Sequence, residues 1–175
     1  MGVPFVEETD DRFYIDESNI EDAGNGLFAK VKLKKGDFLE IIGVSVESKG
    51  VAEKCTKYAN AYKFAARAEG TRHIIPLGYG GIINHTSEPE RQNVAIDYHK
   101  HPPRNAAGSE LIYRFLRDIE PGEELLGHYG EHWVGLMDWA TDHIEKHKEV
   151  KDDWETFLEY DLYNLGLLIR KLDKE

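Results

Sequence analysis

Glycine turns cut the chain between Arg12 and Gly127 into short runs, and that punctuation restricts it to a fold of many short strands. "RFYID" (12–16) alternates as a strand does. After the polar patch "ESNIEDAGNG" come "LFAKVKL", the turn "KKGD" and "FLEIIGVSV". "AEKCTKYANAYKFAA" is ambiguous, but its second half, where Tyr62 and Phe64 alternate, reads as strand. "HIIPL", "NVAIDYH" and "ELIYRFLRDI" complete the set, the last two joined by the Pro/Gly/Ala-rich loop "KHPPRNAAGS", the place where mobility is expected. From about Trp133 the pattern becomes helical and free of proline. Trp154, Phe157, Leu158, Leu162, Leu165, Leu168, Ile169 and Leu172 form one apolar stripe, with Asp152 or Asp153 as its N-terminal cap. A stripe of this kind is core packing. The fold class is therefore mostly β within an α+β chain.

Composition narrows the function. The 175 residues carry a net charge of −11, which argues against nucleic-acid binding through a basic surface and suits a basic partner. The single cysteine, Cys55, allows neither an intrachain disulfide nor a cysteine-built zinc cluster, so no metal is expected and a reducing, intracellular setting is. "MGVPFVEETDD" has no secretory pattern, Val6 breaks the myristoylation pattern, and no run is long enough to span a membrane.

Three separated segments carry the candidate chemistry. The first is "AGNGLFA", a G-x-G opening a strand; alone it is weak, and it lacks the third glycine and following helix of a dinucleotide site. The second is "LGYGGIINHTSEPERQN" (77–93), where Gly78, Gly80 and Gly81 precede an Asn-His pair. Glycines there give positive φ or remove bulk, as a sharp turn or a close approach requires. The third is "RDIEPGEELLGHYG" (117–130), a turn and acidic pair leading to Tyr129 and Gly130.

In this order and spacing the three segments resemble the SET-domain protein lysine methyltransferases. Gly24, Asn25, Gly26, Leu27, Phe28 and Ala29 match the family's G-x-G-[LVI]-F-A element, and Lys34-Lys35-Gly36 its K-x-G turn. Asn84, His85 and Pro89 match the central signature; Arg117 to Ile119, Gly122 to Leu125 and Tyr129 match the last. "LGYGGIINH" looks most like the compact single-domain members of bacteria and large viruses. The resemblance covers about residues 12 to 133, leaving 1–11 as an N-terminal tail and 134–175 as a helical extension.

The resemblance implies a β-clip fold of several small sheets with a pseudoknot, in which the Asn-His and Tyr segments thread past one another. It implies S-adenosylmethionine as methyl donor and a lysine in a basic protein, such as a histone tail, as acceptor, in the nucleus or cytoplasm. Carried over residue by residue, Gly24, Asn25, Gly26 and Leu27 cradle the methionine end of the donor, and Asn84 and His85 contact its amino-acid and adenine parts. Trp133 stacks on adenine, Tyr129 is the catalytic hydroxyl at the meeting point of lysine and donor, and Tyr62 lines the lysine channel. The chain also departs from the pattern. The family's Pro-Asn is Pro89-Glu90, with an asparagine only at Asn93, so an insertion has moved the asparagine or its role is lost. Asn25 stands where relatives carry a larger or basic side chain, His128 where Asp, Asn or Ser is commoner, and Phe115 where a small residue is usual. A catalytically silent, peptide-binding SET fold is the alternative function. The C-terminal helices either complete the lysine channel or form a homodimer surface.

Overall fold

The computed structural model describes residues 10–47, 62–65, 72–98, 111–131 and 133–135. Cys55, the 100–109 loop and the apolar stripe from Trp154 to Leu172 lie outside the described residues. Among the described residues there are ten short strands: β1 (Phe13–Glu17), β2 (Asn25–Ala29), β3 (Phe38–Glu40), β4 (Gly43–Glu47), β5 (Phe64–Ala65), β6 (Arg72–Pro76), β7 (Asn84–His85), β8 (Val94–Tyr98), β9 (Leu111–Phe115) and β10 (Leu126–Gly127). They form four small sheets, ordered β1-β2, β10-β7, β3-β9-β8 and β4-β6-β5. The mostly-β expectation holds.

The chain divides into two compact units. The first comprises residues 1–39, 82–97 and 113–128. Here β1 and β2 pair antiparallel, Phe13 opposite Ala29 through Glu17 opposite Asn25. The other edge of β2 is zipped by the 122–125 segment: Ala29 N–H donates to Glu123 O (2.9 Å) and Leu125 N–H to Leu27 O (2.7 Å). Leu27, Ile83, Val94, Tyr113, Phe115, Ile119 and Leu125 are all buried in the core of this unit. Phe115 is thus a core residue, set edge-on to Phe13 with ring centroids 6.4 Å apart. The Lys34–Asp37 turn closes through Gly36, whose φ of 89° needs a glycine. Lys35 N–H donates to the Asp118 carboxylate and thereby holds its pKa below the usual range.

The second unit comprises residues 40–81, 98–112 and 129–175. Its best-developed feature is the antiparallel β4–β6 pairing, Gly43 opposite Pro76 through Glu47 opposite Arg72. "FLEIIGVSV", expected as one strand, is two. Ile41 turns inward, fully buried, with its N–H donating to Leu111 O (3.0 Å), so the chain changes sheets between β3 and β4. Gly43 then lets the strands close, because a Cβ there would collide with the carbonyl of Ile75.

Candidate functional site

The G-x-G element opens β2 as expected, with Gly24 just ahead of the strand and Asn25 and Gly26 its first residues. The strand ends at Ala29, after which Lys30 N–H turns to Arg12 O (2.8 Å). The two glycines serve different ends. Gly24 has φ 70° and no atom within 4 Å of where a Cβ would stand. Gly26 has ordinary φ, but a Cβ on it would collide with the carboxylate Oε1 of Glu124. Leu27 keeps its side chain wholly in the core and lends its carbonyl to Leu125 N–H.

The three glycines before Asn84 use none of the positive φ that glycine permits; among the described residues that is left to Gly24, Gly36, Gly122 and Gly130. Gly80 and Gly81 are there for space, whereas a Cβ on Gly78 would make only ordinary contact with Ile42 (3.9 Å). The segment winds into one turn of 3-10 helix, Tyr79–Gly81. A Cβ on Gly80 would stand 3.0 Å from Ile41 Cγ1, and one on Gly81 3.1 Å from the Pro76 ring. Both distances are tighter than ordinary packing allows.

That turn delivers Asn84 and His85 to β7, which pairs in parallel with β10, Asn84 opposite Leu126 and His85 opposite Gly127. Asn84 Nδ2 donates toward three oxygens: Ser18 Oγ (3.0 Å), Asn25 O (3.0 Å) and Glu124 Oε1 (3.2 Å). A carboxylate and a backbone carbonyl only accept, which decides the amide orientation and turns Oδ1 away from the cluster as an available acceptor. His85 Nε2 lies 3.0 Å from Ser87 Oγ, and its ring meets that of His128 edge-on at 5.0 Å.

Asn93, the first asparagine after Pro89, is a buried brace. It is 1% exposed, and its Nδ2 donates to Glu124 O (2.7 Å) while its Oδ1 accepts from Leu126 N–H (2.9 Å). Its own N–H donates to Leu126 O (3.1 Å). One side chain therefore stands in for a strand partner across the entry to β10. The 88–92 turn before Asn93 is closed by Arg91 and Gln92 N–H on Glu88 O (3.0 and 3.3 Å).

Tyr129, Trp133 and Tyr62 belong to the second unit, and all three are half-buried. Gly130, at φ 97°, makes the turn after Tyr129, and its carbonyl accepts from Trp133 and Val134 N–H (3.1 and 3.2 Å) as a helix begins. The Tyr129 and Trp133 rings meet edge-on, centroids 4.9 Å apart. Tyr62 stands two residues ahead of β5. Among the described residues no three His, Cys, Asp or Glu side chains gather as a metal site would need.

Three residues that matter to this geometry were not singled out by sequence reasoning: Ser18, Asn19 and, as a hydrogen-bonding centre, Glu124. Glu124 is 5% exposed. Its Oε1 accepts from Ser18 Oγ (2.7 Å) and its Oε2 from Asn19 N–H (2.7 Å). The only sequence signal was the small residue at Gly26, whose reason lies about a hundred positions away in the chain.

Comparison with known proteins follows the same residues. The family model described as the SET domain matches residues 24–130, more than half of the chain. A Plasmodium falciparum protein named as a candidate histone methyltransferase superposes with TM-score 0.51 and 25% identity over 70% of this chain and 96% of that one. The Chaetomium thermophilum Polycomb Repressive Complex 2 superposes at TM-score 0.51 and 22% identity, over 68% of this chain. The ctPRC2 chain in an autoinhibited conformation bound to S-adenosylmethionine superposes at 0.53 and 22%, over 76% of this chain. Only 16 and 17% of those two longer chains are covered, and they speak to the fold alone. No curated protein matches the chain in sequence.

Proposed function

The chain belongs to the SET-domain family, and from that premise we propose that it transfers a methyl group from S-adenosylmethionine to the side-chain amine of a lysine in a basic protein segment. One observation carries the reading: all three sequence motifs meet at a single atom. Asn84 Nδ2 reaches the Asn25 carbonyl of the first and the Glu124 carboxylate of the third.

The residues present fit such a donor. Around Gly24 the backbone is open, and Asn84 Oδ1 is an acceptor suited to an ammonium or an adenine amine. When bound, the donor supplies an electrophilic methyl on a sulfonium. Gly24, Asn25, Gly26 and Leu27 hold its methionine end through backbone, and Asn84 and His85 hold its amino-acid and adenine parts. Trp133 gives adenine an aromatic face. Tyr129 orients the incoming amine through its hydroxyl, and Tyr62 lines its path and excludes water. The amine must be neutral to attack, yet a free lysine titrates near about 10.4. A dry aromatic surrounding and a nearby sulfonium both disfavour the ammonium form, so turnover rises with pH through the alkaline range. The −11 net charge favours a basic substrate such as a histone tail. The chain reads as a compact member of the family, since one cysteine cannot build zinc modules within these residues. Residues 134–175 serve either as cover for the channel or as a dimer surface.

The test is labelled methyl transfer to histones and other basic proteins, with donor affinity measured separately. Tyr129→Phe is expected to lower single-turnover transfer by about tenfold or more while donor affinity stays within about twofold. A wild-type protein that neither binds donor nor transfers methyl overturns the reading and leaves the silent peptide-binding module in its place.

A further inference from the structure

We propose that Glu124 is a positioning residue for the methyl donor, locking the 18–25 loop and the Asn84 amide into one polar cluster; this rests on the functional reading above. The carboxylate is nearly inaccessible, and among the described residues no ion pair neutralises it. A buried carboxylate held only by neutral donors is a poor way to fill a core, since an apolar side chain of similar volume avoids the desolvation cost. What the carboxylate does, and no apolar group could, is bring three donors from two distant parts of the chain, Ser18-Asn19 and Asn84, to one point.

Each of those bonds fixes something that bears on the donor. Through Oε1 it holds Asn84 Nδ2, which sets the direction of Asn84 Oδ1. Through the same oxygen it holds Ser18 Oγ, which in turn accepts from Asn84 Nδ2 and from Ile20 N–H (3.0 Å). Through Oε2 it holds Asn19 N–H. Ser18 N–H donates to Gly24 O (2.8 Å), so the loop leaves and returns at the same place. Asp22, at φ 60°, is the only described non-glycine residue with positive φ, and it sits at the loop's tip. The loop thus ends at Gly24 and Asn25, where the donor's methionine end is proposed to lie, and its shape depends on a group from the third motif. Gly26 completes the arrangement by leaving Glu124 the room to reach Ser18.

The experiment titrates the purified chain with S-adenosylhomocysteine, the demethylated product, by calorimetry, comparing wild type with Glu124→Gln and Ser18→Ala. Gln presents an NH2 where one carboxylate oxygen accepted, so it opposes at least one of the three donors. We expect about a tenfold rise in Kd for Glu124→Gln and about threefold for Ser18→Ala, the scale of lost charge-assisted and neutral hydrogen bonds. The loss falls on donor affinity and not on kcat at saturating donor. Hydrogen exchange without ligand should quicken at Asn19 and Ile20 in both variants. A purely structural role would instead reduce the fraction of protein that titrates and leave the Kd of the remainder unchanged, and that result overturns the proposal. Ser18→Ala, altering one half-exposed hydroxyl, carries the test if Glu124→Gln does not fold. A wild type that binds no product overturns the functional reading and this inference together; a binding wild type with variants of equal Kd overturns this inference alone.

Discussion

β7 and β10 pair over two residues in parallel, whereas β4 and β6 pair over five in antiparallel, and the two regions are stabilised in opposite ways. The long pairing relies on its own backbone ladder and tolerates apolar side chains in solvent: Ile42, Val44 and Leu77 are exposed, Leu77 to 71%. The short pairing has almost no ladder. Its strands are held by side chains that replace one, Asn93 at the entry to β10 and Glu124 and Ser18 beside Asn84, over a core of Ile83, Val94 and Tyr113. Where backbone pairing is brief, buried polar side chains specify the geometry, and each one removed leaves partners unsatisfied.

The sharpest way to break this contrast is Asn93→Ala. It strands both Glu124 O and Leu126 N–H in a dry interior, and chemical denaturation should show a loss of about 3 kcal/mol. A loss below about 1 kcal/mol would mean that β10 is held by packing alone. Gly26→Ala attacks the same region from the other strand. The added methyl must displace Glu124, and a loss of about 2 kcal/mol in unfolding free energy is expected, of the size seen for overpacked interiors. Its Asn19 amide should also lose exchange protection, and an unchanged amide would show that the carboxylate has not moved.

The five-residue pairing should respond to pH through His73 on β6. Burial, with the nearby Lys63 charge adding to it, holds that ring below its ordinary pKa. Above about pH 6.5 the ring is neutral in folded and unfolded chains alike and contributes nothing. As pH falls below that value the unfolded chain takes up the proton first, so stability declines, and it levels off once the folded ring also protonates. Denaturation midpoints from pH 7.5 to 5 should therefore fall in wild type more than in His73→Gln; parallel profiles would remove His73 from the account. The smallest effect is expected for Val44→Thr on the exposed face of β4, within about 0.5 kcal/mol. A larger loss would show that this face is covered.

Local chemistry made much of the chain legible in advance. Alternation and glycine turns identified the strand runs, the Lys34–Asp37 turn followed from its glycine, and the three motif segments were recognisable from residue type and order. Those features depend on φ, ψ and neighbours a few positions apart, which a sequence states directly. The same local reading misjudged where strands end. "FLEIIGVSV" carries no breaker at Ile41, and the division into β3 and β4 comes from a buried backbone bond to Leu111. The glycines at 78, 80 and 81 were consistent with positive φ or with lost bulk, and only the nearness of Ile41 to Gly80 and of Pro76 to Gly81 decided for bulk at those two.

The sequence alone determined the strand-rich character, the candidate donor and lysine residues, and the family that their spacing resembles. Only the tertiary structure decided that Asn93 braces β10. Only it made Glu124 the partner of Ser18, 106 positions earlier, and of Asn84, 40 positions earlier. The physical reason is that a buried polar group takes its role from whichever donors the topology brings within hydrogen-bond distance, and a linear sequence carries the group but not that encounter.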